Sequence, residues 1–267
     1  PTRGLRDVAG VGVSVEGPLA FVRELAAIPW EAGEWIWDLR HEPADLEVAT
    51  ARCAALPGRR VLAVGSDMAV GKMSACLELQ RCGQQQGQDV RFVGTGQAGI
   101  LISGQGVALD AVRVDYAAGA VEAAVLKAAE GATAETLVLV EGQGSLCHPG
   151  STATLPLIRG SQPTALLLVH RAGQTHVRTR PGAALVEIPP VPEVIAANEA
   201  LAALARPDGA RPKVRAICLN TALLTEEQAE QERSALQAQT GLPVWDPVRH
   251  GASSLLAALL EAAICSK

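Results

Sequence analysis

From residue 61 onward, short apolar runs recur along the chain, each closed by small and polar residues. Val61 to Val64, Val90 to Val93, Leu137 to Val140, Ala165 to Val169 and Val214 to Leu219 have the length and texture of buried strands. Leu242-Pro243-Val244-Trp245 opens a last short one. Longer stretches with helical character separate them: Gly71 to about Gln86, Ala118 to Glu130, Val191 to Ala205, Thr225 to Thr240 and Gly251 to Ile264. A Gly-rich loop carrying Gly99, Gly104 and Gly106 is expected after Gly94-Thr95-Gly96-Gln97. This alternation predicts an α/β fold, a mostly parallel sheet with helices on both faces.

Residues 1–58 differ in texture, holding Trp30, Trp35 and Trp37 among several Gly and Pro. Helices are expected over 18–28 and 43–55 and a short strand over 35–39, forming a small N-terminal appendage to an α/β domain at 59–267. Because the chain opens on Pro1 rather than Met, this segment reads as part of a truncated domain. His41, between Arg40 and Glu42, reads as a surface residue.

Composition narrows the class. With 48% hydrophobic but only 3% aromatic residues, Ala, Val and Leu must build the core. A net charge of −5 without a basic block argues against nucleic-acid or membrane-surface partners. No apolar run approaches the roughly 18 residues of a membrane span, and no charged-then-apolar leader is present, so a cytoplasmic protein acting on a small molecule, as a homo-oligomer, is expected. The cysteines have no C-x-x-C spacing and read as reduced thiols.

The most informative stretch is Val61 to Ser74, a strand, a tight loop and a helix start. Unpaired amides at a helix N-terminus carry partial positive charge, so a loop wrapping them makes an anion site, to which Lys72 adds a full charge. Gly65, Ser66, Asp67, Met68, Ala69, Val70, Gly71, Lys72, Met73 and Ser74 are the expected phosphate-cofactor contacts. Two departures from the usual P-loop pattern matter. Ser66 stands where its first Gly falls, and Met73 replaces the Ser/Thr whose hydroxyl binds Mg²⁺. Thioether sulfur is a poor ligand for a hard cation, and Ser74 is turned about 100° further round the helix. Phosphate binding without phosphoryl transfer is the expectation.

Polar residues recur at the strand ends: Ser66 and Asp67, Thr95 and Gln97, Glu141 and Gln143, His170, Asn220, Asp246. In a parallel sheet these converge on one crevice. Glu141, helped by Asp115, is placed to hold Mg²⁺ or accept a proton. Asp67 reads as a brace of the loop or a substrate contact. His148 is a candidate base, an exposed loop histidine being the alternative, and His170 reads as a hydrogen-bonded core residue. Arg178, in the basic segment 170–180, and Arg249 are candidates for carboxylate recognition. Asn220 is placed to read a purine edge, and Gln97, Gln143 and Ser145 to contact substrate.

These motifs add up to a resemblance. Gly65 to Lys72, Glu141-Gly142-Gln143-Gly144 and Leu219-Asn220-Thr221 resemble the P-loop, Glu-Gly-x-Gly turn and adenine-reading Asn of the dethiobiotin synthetase group. Val70 to Met73, Gly94 to Gln97, Glu141 to Pro149 and Asp246 to Arg249 are more closely similar to a bacterial P-loop family that includes D-glutamate N-acetyltransferases. That resemblance implies a P-loop NTPase-like fold, acetyl-CoA as the phosphate-bearing cofactor and acetyl transfer to an acidic amino acid, with Glu141, Asp115 or His148 as base. The dethiobiotin synthetase likeness implies instead an ATP- and Mg²⁺-dependent ligase or kinase; a nucleotide-binding regulator without turnover is the third reading.

Overall fold

The computed structural model describes residues 39–261. Strands β1 (Arg59–Gly65), β2 (Val90–Val93), β3 (Leu137–Val140), β4 (Ala165–Arg171), β5 (Val214–Asn220) and β6 (Val244–Trp245) form one six-stranded parallel sheet, ordered β2-β3-β1-β4-β5-β6. Around it lie α1 (Lys72–Gln85), α2 (Gln97–Ser103), α3 (Ala117–Ala128), α4 (Thr154–Ser161), α5 (Val191–Ala203), α6 (Glu226–Thr240), α7 (Pro247–His250) and α8 (Ser253–Glu261). All pairings are parallel, with β1 flanked by β3 and β4. The chain leaves β1 toward one side of the sheet and returns on the other, so the crevice lies at the C-terminal end of β1.

The continuous apolar runs divide by pleat. Leu62, Val64, Val140, Leu166 and Leu168 pack against Val121 and Val125 of α3, Leu157 and Ile158 of α4 and Val194 of α5. Their neighbours Val61, Ala63, Leu139, Leu167 and Val169 face the opposite way, onto Ala75 and Leu79 of α1 and Leu255 and Leu259 of α8. Alternation hidden within an all-apolar run is what burial on both faces requires.

Three local expectations are corrected. Within the presumed Gly-rich loop, residues 97–103 form α2, which Gly104 ends in the left-handed region at φ 76. The segment 154–161, not expected to be helical, forms α4; its Pro156 lies in the first turn, where no amide is needed, and Gly160 allows α3 close approach, since a Cβ there would lie 2.2 Å from the Ala118 carbonyl oxygen. The helix expected over 43–55 reduces to a 3₁₀ turn at Arg52–Ala55. Instead the amides of Thr50 and Arg52 donate to the fully buried Glu122 carboxylate of α3 at 3.3 and 2.7 Å, a tertiary contact that local spacing does not encode. The helix expected over 18–28 and all but the last residue of the strand expected over 35–39 lie outside the described residues.

Candidate functional site

β1 delivers the chain into a loop, Ser66 to Gly71, whose acceptor atoms are tied down by side chains. Lys72 Nζ donates to the Asp67 carbonyl at 2.9 Å, Arg171 Nη2 to that of Ala69 at 2.6 Å and Asn220 Nδ2 to that of Val70 at 2.9 Å. The Asp67 carboxylate, wholly buried, accepts from the Met68 amide, Gln174 Nε2 and the Arg178 amide at 2.7, 2.6 and 2.8 Å. Ser66 Oγ pairs with His170 Nδ1 at 2.8 Å. By contrast, the amides of Ala69 through Ser74 have no hydrogen-bond acceptor among the described residues. With the Asp67, Ala69 and Val70 carbonyls occupied and its donors left over at a helix N-terminus, the loop has the geometry of an anion cradle. Gly71 makes the turn at φ 113, a conformation closed to residues with a side chain.

Two titratable groups here are displaced by burial. Burial pushes the Lys72 ammonium down to about 8, while the charges of Asp67 and Glu141 pull it back. The His170 imidazole, buried, falls to about 4 and is neutral near pH 7.

Across the cleft, β3 ends at Glu141, 4% exposed. Its Oε2 accepts from the Thr95 and Gly96 amides at 2.8 and 3.2 Å, and its Oε1 from Gln143 Nε2 at 3.1 Å. Burial raises its pKa above the usual carboxylate value; the Thr95 and Gly96 amides, Lys72 and Gln143 restrain the rise. The surrounding glycines are there for room. A Cβ at Gly99 would sit 2.3 Å from Glu141 Oε2, and one at Gly142 would sit 1.7 Å from the Ala63 carbonyl oxygen.

Two cavities meet at this carboxylate. One, of about 290 Å³, is lined by Met68, Ala69 and the α1 start through Ser74, facing 141–144. The other, of about 560 Å³, runs from Thr95–Ala98 past Asp110 and Val114 to Gly150–Ala153. Met68, Glu141, Gln143 and Gly144 belong to both walls.

Of the expected site residues, Gln97 and Gln143 line the larger cavity and Met73 and Ser74 the smaller. Several others are engaged elsewhere. Asp115 lies exposed on a 3₁₀ turn and is not brought to Glu141; Asp110 lines the cavity instead. His148 donates from Nε2 to the Arg178 carbonyl at 2.9 Å and accepts at Nδ1 from the Gly150 amide at 3.0 Å, so both nitrogens join two loops in this structure. Arg249 spends its guanidinium on Thr221, Leu224 and Glu226 rather than on a substrate carboxylate. Asn220 braces the P-loop at Val70 through Nδ2 and accepts from the Ala222 amide at Oδ1, so one of its donors and one of its lone pairs serve the fold. Ser145 shapes its own turn, accepting from the Cys147 amide at 3.1 Å. Arg178 is held by its backbone while its exposed side chain has no hydrogen bond or ion pair among the described residues. Sequence reasoning missed Asp110, and missed Arg171 and Gln174 as loop braces although both lie in the basic segment it singled out.

Comparison with known proteins agrees with this architecture. Residues 47–256 match a family model described as a domain of unknown function, the DUF1611 C-terminal P-loop domain. Over 237 residues, 88% of this chain and 68% of the relative, the sequence is 37% identical to a D-glutamate N-acetyltransferase of a Pseudoalteromonas species. A Tritonibacter scottomollicae protein of the same name matches with the same identity and coverage. The fold matches the crystal structure of a DUF1611 family protein from Anabaena variabilis with a TM-score of 0.80 and 48% identity, over 93% of this chain and 68% of that one.

Proposed function

The chain belongs to the DUF1611 P-loop domain family, and from that premise we propose that it is an acyltransferase moving an acetyl group from acetyl-CoA to the amino group of an acidic amino acid such as D-glutamate. The names of the curated relatives support the reaction class. The observation that carries the proposal is the meeting of two cavities at one buried carboxylate, Glu141.

In this reading the amides of Ala69 through Ser74, with Lys72, hold the phosphates of CoA. Holding a phosphate requires no metal, so Met73 in place of an oxygen ligand is no handicap. The acceptor occupies the larger cavity, where Glu141 takes a proton from its ammonium group. A raised pKa makes Glu141 a better base than an exposed carboxylate, and Gln143 and the Thr95 and Gly96 amides fix its orientation. The freed amine attacks the thioester carbonyl: the N–C bond forms, the C–S bond breaks, and the thiolate takes up a proton as the nitrogen sheds its second. The proton held by Glu141 leaves to solvent. Both partners bind at once, so transfer is direct.

Mixing the protein with acetyl-CoA and a panel of D- and L-amino acids, while following free thiol, tests this. Thiol release that depends on an acidic amino acid is the expected result; release no faster than in buffer across the panel would reject it.

A further inference from the structure

We propose a second anion site on the outer lip of the P-loop, formed by Arg171 and Arg178, that takes the 3′-phosphate of CoA; the proposal rests on the reading of the P-loop as a CoA cradle. The smaller cavity, about 290 Å³, lies at the low end of the range for small-molecule sites. It has room for a pyrophosphate but not for the nucleoside that carries it. With the larger cavity assigned to the acceptor, the remainder is left to lie over the tip of the loop, where Ala69 is exposed.

One guanidinium group, that of Arg171, sits on that tip, and the charge of Arg178 lies near enough to act on it. Ala69 stands in the left-handed region at φ 52, and its carbonyl accepts from Arg171 Nη2 at 2.6 Å, fixing that side chain against the loop. Arg171 Nε is shielded from solvent and has no partner among the described residues. Arg178 is pinned through its amide to Asp67 and through its carbonyl to His148, at 2.8 and 2.9 Å, so the root of its side chain is as fixed as the P-loop itself. Its guanidinium extends from there without a hydrogen bond or ion pair among the described residues. The acid between them, Asp67, already accepts three hydrogen bonds, only one of which, from Gln174 Nε2, comes from another side chain. Burial lowers the pKa of Arg171, and the nearby Arg178 charge lowers it further, while the Asp67 charge offsets part of the fall. A dianionic monoester is the ligand that relieves two such cations: Arg178 offers paired donors to its oxygens, and Arg171 adds the nitrogen not spent on the loop.

The chemistry distinguishes carriers. ATP strings its phosphates in one row, which a P-loop accommodates alone. CoA carries a third phosphate on the ribose, away from the pyrophosphate, and needs a second site. This assignment replaces carboxylate recognition as the role of Arg178.

Titration calorimetry of CoA and 3′-dephospho-CoA against the wild-type protein and Arg178→Gln tests the assignment, with the D-glutamate KM measured alongside. Wild type is expected to prefer CoA by at least tenfold. In R178Q the preference should fall to within about twofold, with the dephospho-CoA Kd and the D-glutamate KM unchanged. Equal binding of the two ligands by wild type, or a preference that survives in R178Q, would overturn the second site and leave the acetyltransferase reading intact. An R178Q variant that raises only the D-glutamate KM would also overturn it, in favour of carboxylate recognition. Failure of both ligands to bind wild type would bring down both proposals.

Discussion

Lys72 keeps an ammonium group buried beside Asp67 and Glu141. Its folded pKa of about 8 lies below the ordinary 10.5, so between those values the unfolded chain holds the extra proton. Stability should therefore climb as pH rises through that window, and the fold carries the cost of the buried charge below it. Lys72→Met is expected to raise the melting temperature of the ligand-free protein at pH 7, to flatten the stability profile between pH 8 and 10, and to abolish the thermal shift given by CoA. A lower ligand-free melting temperature in K72M would contradict this. Glu141 makes the complementary case. Glu141→Gln keeps the size and one acceptor oxygen but cannot take a proton, so turnover should fall by about 10²- to 10⁴-fold while calorimetry shows acetyl-CoA binding nearly unchanged. In the wild type, with Glu141 raised by burial, the acid limb of the rate profile should sit above the ordinary carboxylate value. His170 contributes no charge near neutrality. Its folded pKa of about 4, against 6.5, predicts stability lost as pH falls from about 6.5 to 4, a slope that His170→Asn should reduce in acid titrations.

The elements around the site are held together by close approaches that only glycine allows. In α2, Gly99→Ala would gain about 1 kcal/mol of helix propensity yet place its methyl against the Glu141 carboxylate. Activity should drop with little change in melting temperature. Gly142→Ala drives a methyl into the Ala63 carbonyl of β1, and overpacking of that kind costs about 1–3 kcal/mol. Its melting temperature should fall together with its activity, and chemical denaturation of the two variants separates the cases. The same elements show what the sequence discloses. Strands announced themselves because four or five successive apolar residues have few other uses. α2 and α4 did not, since Gly99, Gly160 and Pro156 are helix-breakers on paper and become acceptable only through neighbours. The P-loop and Glu141 were legible because their chemistry is local. The engagement of Arg249, His148 and Asn220 was not, because their partners Thr221, Leu224, Arg178 and Val70 are brought to them by folding. Asp115 and Asp110 differ by five positions in a stretch of 3₁₀ turns with no periodicity to say which one faces inward.

At the scale of the whole molecule, the sheet order places the P-loop of β1 beside the Glu141 end of β3, so both candidate halves of the site share one switch point. In the proposed reaction the cavity with the cradle would grip phosphate without metal, and the cavity beside it would present the base. No helix among the described residues is long and apolar enough to cross a membrane. In the proposed function this P-loop grips the phosphates of an acyl carrier rather than spending those of a nucleotide. Calorimetric titration of acetyl-CoA and of ATP, each with Mg²⁺ and with EDTA, measures it most directly. The account predicts that acetyl-CoA binds more tightly than ATP and with the same affinity whether or not the metal is chelated; ATP binding that requires Mg²⁺, with no heat from acetyl-CoA, would contradict it.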